Sequence, residues 1–113
     1  APTTLEMLLE LRHHAPHLLS DPNFAIIIDG GIRRGTDVVA ALCLGATAVS
    51  LGRPFMYSLI YGAEGVAKVI GVLEEEVVRA CQLLGVTKLS ELGPHLVNTR
   101  RVERKLYGVQ EKL

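Results

Sequence analysis

The apolar positions along the chain follow two different periods. Leu5, Leu8 and Leu9 recur at helical spacing behind "TTLE", where Thr3 stands as an N-cap and Glu6, three residues on, completes a capping box. A first helix is predicted from there to Pro16, which cannot continue it. "DPN" at 21–23 marks a turn. "FAIII" at 24–28 follows as an unbroken apolar run rich in β-branched residues, the pattern of a parallel strand buried on both faces. "DGGIRRG" breaks that strand. Thr36 is placed to cap a short helix "DVVAALCL" with Asp37 in its first turn, and Gly45 suits the left-handed position after it. "ATAVSLG" at 46–52 then reads as a second strand. Residues 24–52 therefore spell strand, loop, helix and strand, the content of one βαβ unit, whose right-handed crossover makes its two strands parallel neighbours.

After "RPFMYSLIYGAEG" the period returns to that of a helix, predicted over 65–84. Val66, Val69, Ile70, Leu73, Val77, Ala80, Cys81 and Leu84 form one apolar stripe, and Lys68, Glu74, Glu75 and Arg79 occupy the opposite face. Glu74–Glu76 reads as a solvated helix face, and Gly85 stops the helix. "TKLSEL" suits a further short helix, and residues 98–113 read as a polar, weakly periodic tail. There is no internal repeat beyond the two strand–helix pairs.

Composition narrows the picture without changing it. The chain has 113 residues, 49% hydrophobic and 21% charged, which bounds it to a single globular domain at most. Twelve basic and twelve acidic residues cancel, so no global charge attracts nucleic acid or an anionic membrane, and any anion site must be local. No segment reads as the ~18 apolar residues of a membrane span, and "APTTLEMLLELRHH" lacks the basic and apolar regions of a signal peptide. A soluble protein is expected. Cys43 and Cys81 sit among apolar residues and read as two buried thiols rather than a disulfide framework or zinc site. His13, His14 and His17 cluster at a helix end with no carboxylate or thiolate beside them, so no metal site is expected. His95 has no partner for catalysis, and Ser58 has no nucleophile-elbow setting.

The chemistry concentrates at two places. Asp29, Gly30 and Gly31 follow the first strand, and Gly52 and Arg53 follow the second. In parallel α/β folds ligands collect beyond the carboxyl ends of the strands, so adjacent strands bring these two ends together. Glycine lets backbone N–H groups approach an anion closely, and Arg33, Arg34 and Arg53 add forked donors suited to phosphate oxygens. Either feature alone is a tight turn or a solvated arginine pair; together, at matching strand ends, they indicate an anion site. Asp29 is open between bonding a ligand hydroxyl and capping the loop.

These residues resemble a known family. "DGGIRRGTDVVAALCLGATAVSLGRPFMYSLIYGAEGV" and "LLGVTKLSELGPHLV" are similar to the FMN-dependent α-hydroxy-acid oxidases and dehydrogenases, a group that includes glycolate oxidase and the flavocytochrome type of L-lactate dehydrogenase. The "DGGIR" to "LG" core is shared with other phosphate-binding barrels such as IMP dehydrogenase, whereas "RRGTDV", "GRPFMYSL" and "YGAEGV" point to the hydroxy-acid family. The resemblance implies α/β architecture, with residues 1–97 forming the C-terminal part of a (β/α)8 TIM barrel, about its last two β–α units. It also implies FMN as cofactor, a small L-2-hydroxy acid as substrate of the full-length enzyme, a 2-oxo acid as product and a homo-oligomer as the assembly. Asp29, Gly30 and Gly31 would line the ribityl and phosphate arm, Arg33 would contact FMN near the substrate pocket, and Gly52 and Arg53 would complete the phosphate grip.

The family's catalytic histidine and its substrate-carboxylate arginine lie in an "SNHGGRQLD"-like stretch, and no such stretch occurs here. The lysine that tunes the flavin ring is missing too, so no catalytic residue is assigned and this chain alone is expected not to turn over. Two other functions fit the same residues. One is a non-catalytic, self-associating phosphate-binding or interaction module, because a quarter barrel leaves strand edges and apolar faces uncovered. The other is a piece of a different phosphate-binding barrel of the IMP dehydrogenase type.

Overall fold

Helix α1 (Thr4–His14) begins where Thr3 Oγ1 accepts the Glu6 N–H at 3.2 Å, and it ends two residues before Pro16. Pro16 itself opens the one-turn helix α2 (Pro16–Leu19). This is a computed structural model, which describes residues 2–107 and side chains through Arg104. The turn at "DPN" is closed by the Asp21 carboxylate, which accepts the Asn23 N–H at 2.9 Å.

Strands β1 (Ile27–Asp29) and β2 (Ala48–Ser50) pair in parallel, with Ile27 opposite Ala48 and Asp29 opposite Ser50. Both are shorter than the apolar runs that announced them. Thr47 takes over at the front end: its N–H donates to the Ile26 carbonyl at 2.8 Å and its hydroxyl accepts the Ile26 N–H at 3.0 Å. Helix α3 (Gly35–Cys43) crosses between the strands and ends at Gly45, whose φ of +114° only glycine adopts readily. It starts at Arg34 rather than at the expected cap Thr36, because the Asp37 carboxylate accepts the N–H groups of both Arg33 and Arg34, at 3.0 and 3.1 Å.

Helix α4 (Arg53–Ser58) follows β2 directly, and a 3-10 turn (Leu59–Tyr61) leads into α5 (Gly62–Leu84). Helix α5 starts three residues before its predicted bound and ends, as expected, at Gly85 in the left-handed region. Single 3-10 turns follow at Leu89–Glu91, where "TKLSEL" was read as a short helix, and at Pro94–Leu96. Part of the segment read as a polar tail is helix α6 (Arg100–Tyr107), whose Val102 packs on the core; residues 108–113 of that tail lie outside the described residues.

Leu8 and Leu9 of α1, Ile28 of β1, Ile32, Ala41 of α3, Leu44 and Ala46 form the core. This core lies on one side of the two-stranded sheet. Ile28 is buried but Ile27 is 63% exposed, so the strand expected to be buried on both faces is covered on one. The described residues supply helices to that face alone. The same shortage of cover leaves α5 without a buried residue, and Cys81 is only half-buried where Cys43 is fully so.

One expectation about membranes changes. The continuous helical run Arg53–Leu84, 32 residues with an 18-residue window of mean hydropathy 1.3, is long and apolar enough by length and composition to cross a membrane. The sequence pattern missed it because the run joins α4, the 3-10 turn and α5 across Gly62 and Gly65. Charged residues are spread through α5 at Glu64, Lys68, Glu74, Glu75, Glu76 and Arg79, and its apolar edge lies against α3. Those are features of a helix lying on a domain.

The α3–α5 contact is close at one point. A Cβ built on Gly35 would sit 2.3 Å from Glu76 Cβ and 2.7 Å from the Val77 nitrogen. Gly71, in the middle of α5, faces open space. Gly35→Ala is therefore expected to cost about 1–3 kcal/mol through overpacking, whereas Gly71→Ala is expected to add about 0.5–1 kcal/mol through helix propensity. Urea denaturation of the two variants beside the parent chain checks this; midpoints that move in the same direction contradict the packing described.

Candidate functional site

The parallel register sets Asp29 level with Ser50, so the loops after β1 and β2 leave the sheet side by side. Between them lies an open cleft of about 580 Å³. Asp29, Gly30, Gly31 and Arg33 line it from the first loop, and Gly52 and Arg53 from the second. Of the residues expected there from sequence, Asp29, Gly30, Gly31, Arg33, Gly52 and Arg53 reach this one cleft, and Arg34 does not. Ile32, Ser50, Leu51, Pro54 and Tyr57 complete its walls, and the last of these had no signal in the sequence.

The first loop is held open by its own backbone. Gly30 and Gly31 have φ of +99° and +78°, left-handed values at which a side chain is strained. The Thr4 hydroxyl donates to the Gly30 carbonyl at 2.7 Å, with the Asp29 carbonyl a second acceptor at 3.2 Å, which ties the turn to the start of α1. In the second loop Gly52 precedes α4, and its carbonyl accepts the N–H groups of Phe55 and Met56, both at 3.1 Å.

The three arginines separate. Arg34 Nη2 lies 3.1 Å from Glu76 Oε2 on α5, and Arg34 does not line the cleft. Among the described residues no ion pair or hydrogen bond engages the guanidinium of Arg33 or Arg53. Both are exposed at the cleft. The Asp29 carboxylate likewise makes no hydrogen bond among the described residues, so it does not cap the loop; only its carbonyl is engaged.

Glu76 is the residue that the sequence pattern misplaced. Instead of a solvated face it presents a side chain 27% exposed, whose Oε1 accepts the Gly35 N–H at 2.7 Å. That backbone bond, helped by Arg34, holds its carboxyl below the usual carboxylate range. The available signal was its spacing, since Val69, Leu73, Glu76 and Ala80 share one helical stripe. Glu91 is lowered in the same way, first by the Thr87 N–H and then by the Lys88 N–H. Burial raises the Cys43 thiol, against a contact with the Gly93 N–H. Cys43, Glu76 and Glu91 all lie outside the cleft. No group of three or more His, Cys, Asp or Glu among the described residues could hold a metal ion. The guanidiniums and glycine backbone that line the cleft are of the chemistry that suits an anion.

Residues 1–99 match the family described as FMN-dependent dehydrogenase. The chain is 50% identical over 90 residues to an L-lactate dehydrogenase (cytochrome) of Wickerhamomyces anomalus, which covers 79% of this chain and 16% of the relative. The corresponding enzyme of Saccharomyces cerevisiae is 48% identical over 85 residues, 74% of this chain and 14% of the relative. In three dimensions the chain resembles the recombinant flavin-binding domain of baker's yeast flavocytochrome b2 with a TM-score of 0.81 and 40% identity, covering 96% of this chain and 28% of that domain. The chain thus spans about a seventh of the length of these two curated relatives.

A carboxyl held low in the folded state stabilises above its unfolded value and loses that contribution as pH falls through the folded value. Glu76 and Glu91 both start from an ordinary value of about 4.5. Thermal unfolding followed by circular dichroism is expected to show the midpoint dropping as pH falls from about 5 towards 3. Glu76→Gln flattens that drop; a variant curve parallel to the parent's contradicts the assignment of Glu76.

Proposed function

The chain belongs to the FMN-dependent dehydrogenase family, as the C-terminal part of its (β/α)8 barrel, and from that premise we propose that the cleft between the β1 and β2 loops holds the phosphate and ribityl arm of FMN. The observation that carries this reading is the placement of two guanidiniums without partners among the described residues, Arg33 and Arg53, in one cleft with a left-handed Gly30–Gly31 turn. A phosphate monoester supplies acceptor oxygens for both guanidiniums and for glycine N–H groups that no Cβ screens.

The residues present fit that group in detail. Gly52 and Arg53 would take the phosphate from the β2 side, and Gly30 and Gly31 from the β1 side. The Asp29 carboxylate, unbonded among the described residues, would accept from a ribityl hydroxyl, and Arg33 would contact FMN from the same loop. FMN, when bound, supplies the acceptor for the hydride equivalent removed from a hydroxyl-bearing carbon. The work of this chain is to orient that cofactor and to place positive charge beside it. The names of the relatives support an L-2-hydroxy acid such as L-lactate as the substrate of the whole enzyme and a 2-oxo acid as product.

A second reading rests on a different observation. Ile27, Met56, Ile60, Tyr61 and Leu83 are all more than 60% exposed, an apolar surface suited to self-association. It predicts homo-oligomers in size-exclusion chromatography, and a monodisperse monomer overturns it.

Titration of the chain with FMN, read by quenching of flavin fluorescence, tests the phosphate grip. Saturable binding is expected, weakened about tenfold or more by Arg33→Ala and by Arg53→Ala, since each removes charge-assisted hydrogen bonds. Arg34→Ala is expected to stay within a factor of about two, because its exposed pair with Glu76 is a weak one. Absence of binding by a chain that circular dichroism shows to be folded, or equal losses in all three variants, contradicts the proposal.

A further inference from the structure

We infer that Glu76 is the positioning residue of the first loop: from α5 it holds the Gly35 N–H and thereby the orientation of residues 30–33 towards the cleft, an inference that rests on the phosphate reading above. Glu76 does not line the cleft and touches nothing in it. Its Oε1 accepts the Gly35 N–H at 2.7 Å, and its Oε2 faces Arg34 Nη2 at 3.1 Å. Both partners directly follow Arg33 in the chain.

The loop is thus fixed at both ends by groups outside it. At its start the Thr4 hydroxyl holds the Gly30 carbonyl. At its end Asp37 Oδ2 takes the N–H groups of Arg33 and Arg34, and Glu76 takes that of Gly35. Along residues 30–35 the N–H groups of Gly30, Gly31 and Ile32 are the ones that none of these side-chain anchors engages. Ile32 is also fixed by burial, 4% exposed in the core. Removing the Glu76 anchor leaves the end of the loop that carries Arg33 held by Asp37 alone.

The glycine at position 35 belongs to the same device. Its missing Cβ is what lets the Glu76 backbone come close enough for a short bond, since any side chain there meets Glu76 Cβ at 2.3 Å. The second arm acts differently. By pairing with Arg34, whose side chain is 72% exposed, Glu76 draws the middle arginine to the α5 side while Arg33 lines the cleft. An exposed pair of this kind contributes little energy, so the backbone bond is the part that orders the loop.

The experiment compares Glu76→Ala and Glu76→Gln in the full chain. It uses amide hydrogen exchange of Gly35, titration with FMN and with riboflavin, and thermal midpoints. Glu76→Ala is expected to speed exchange of the Gly35 amide and to weaken FMN about tenfold, the scale of one hydrogen bond to a charged group. Riboflavin, which has no phosphate, is expected to lose clearly less than FMN does. Glu76→Gln keeps an oxygen for the Gly35 N–H and is expected to restore both exchange and FMN affinity to within about twofold. Unchanged exchange and FMN affinity in Glu76→Ala overturn the inference while leaving the phosphate reading standing. Parallel losses for FMN and riboflavin that follow the thermal midpoint also overturn it, because they mark a purely structural residue. Failure of the parent chain itself to bind FMN overturns the phosphate reading and this inference with it.

Discussion

The parallel pairing of β1 with β2 is the constraint on which everything else depends. Three residue pairs suffice, because with Asp29 opposite Ser50 both chains turn away from the sheet at the same level. A shift of one residue would exchange the two faces of a strand, burying Ile27 and exposing Ile28. It would also carry one loop past the other by one residue's rise. The register is secured at the opposite end, where Thr47 both donates to and accepts from the backbone of Ile26. A short sheet pinned at one end by a threonine is thus what delivers two glycine-containing loops to one cleft at the other.

From that cleft outward the charges divide by whether they have partners. Arg34 is balanced by Glu76, and the Asp37 carboxylate is occupied by two backbone N–H groups. Arg33 and Arg53 keep their hydrogen-bonding capacity for something outside the described residues. This division explains how a chain of zero formal charge keeps two arginines available at the cleft where the phosphate is proposed to sit. Acidic residues are spent on the backbone and on the one arginine that faces away, which leaves two guanidiniums in the cleft uncompensated by direct partners.

Much of this was legible in the sequence, for identifiable reasons. The turn from period-2-compatible apolar runs to helical stripes located β1, α3, β2 and α5, because those patterns report directly on which face of an element is covered. The paired Gly-Arg strand ends located the cleft, because parallel strands place their carboxyl ends together whatever surrounds them. What was misread depended on partners distant in sequence. Thr36 has the chemistry of an N-cap, but Asp37 captures two N–H groups upstream and moves the helix start to Arg34. Glu76 looked like one of three solvated glutamates, and only the approach of Gly35, 41 residues away, gives it a partner. The burial of β1 was overestimated because an apolar run reports what a strand is suited to, not what this chain places against it.

That last mismatch bears on how the site is built. The chain covers 28% of the flavin-binding domain it resembles, yet superposes on it over 96% of its own length with a TM-score of 0.81. Uncovered apolar surface at Ile27 and along Met56–Tyr61 is what a segment of a closed barrel presents when its neighbouring strands and helices are not among the described residues. The contacts that shape the loops lie elsewhere. Thr4 with Gly30, Asp37 with Arg33 and Arg34, Glu76 with Gly35, and Thr47 with Ile26 are all pairs within this chain. The first loop is thus held by contacts that the two β–α units make between themselves, while Thr47 at the far end of the sheet sets the register that brings the second loop beside it.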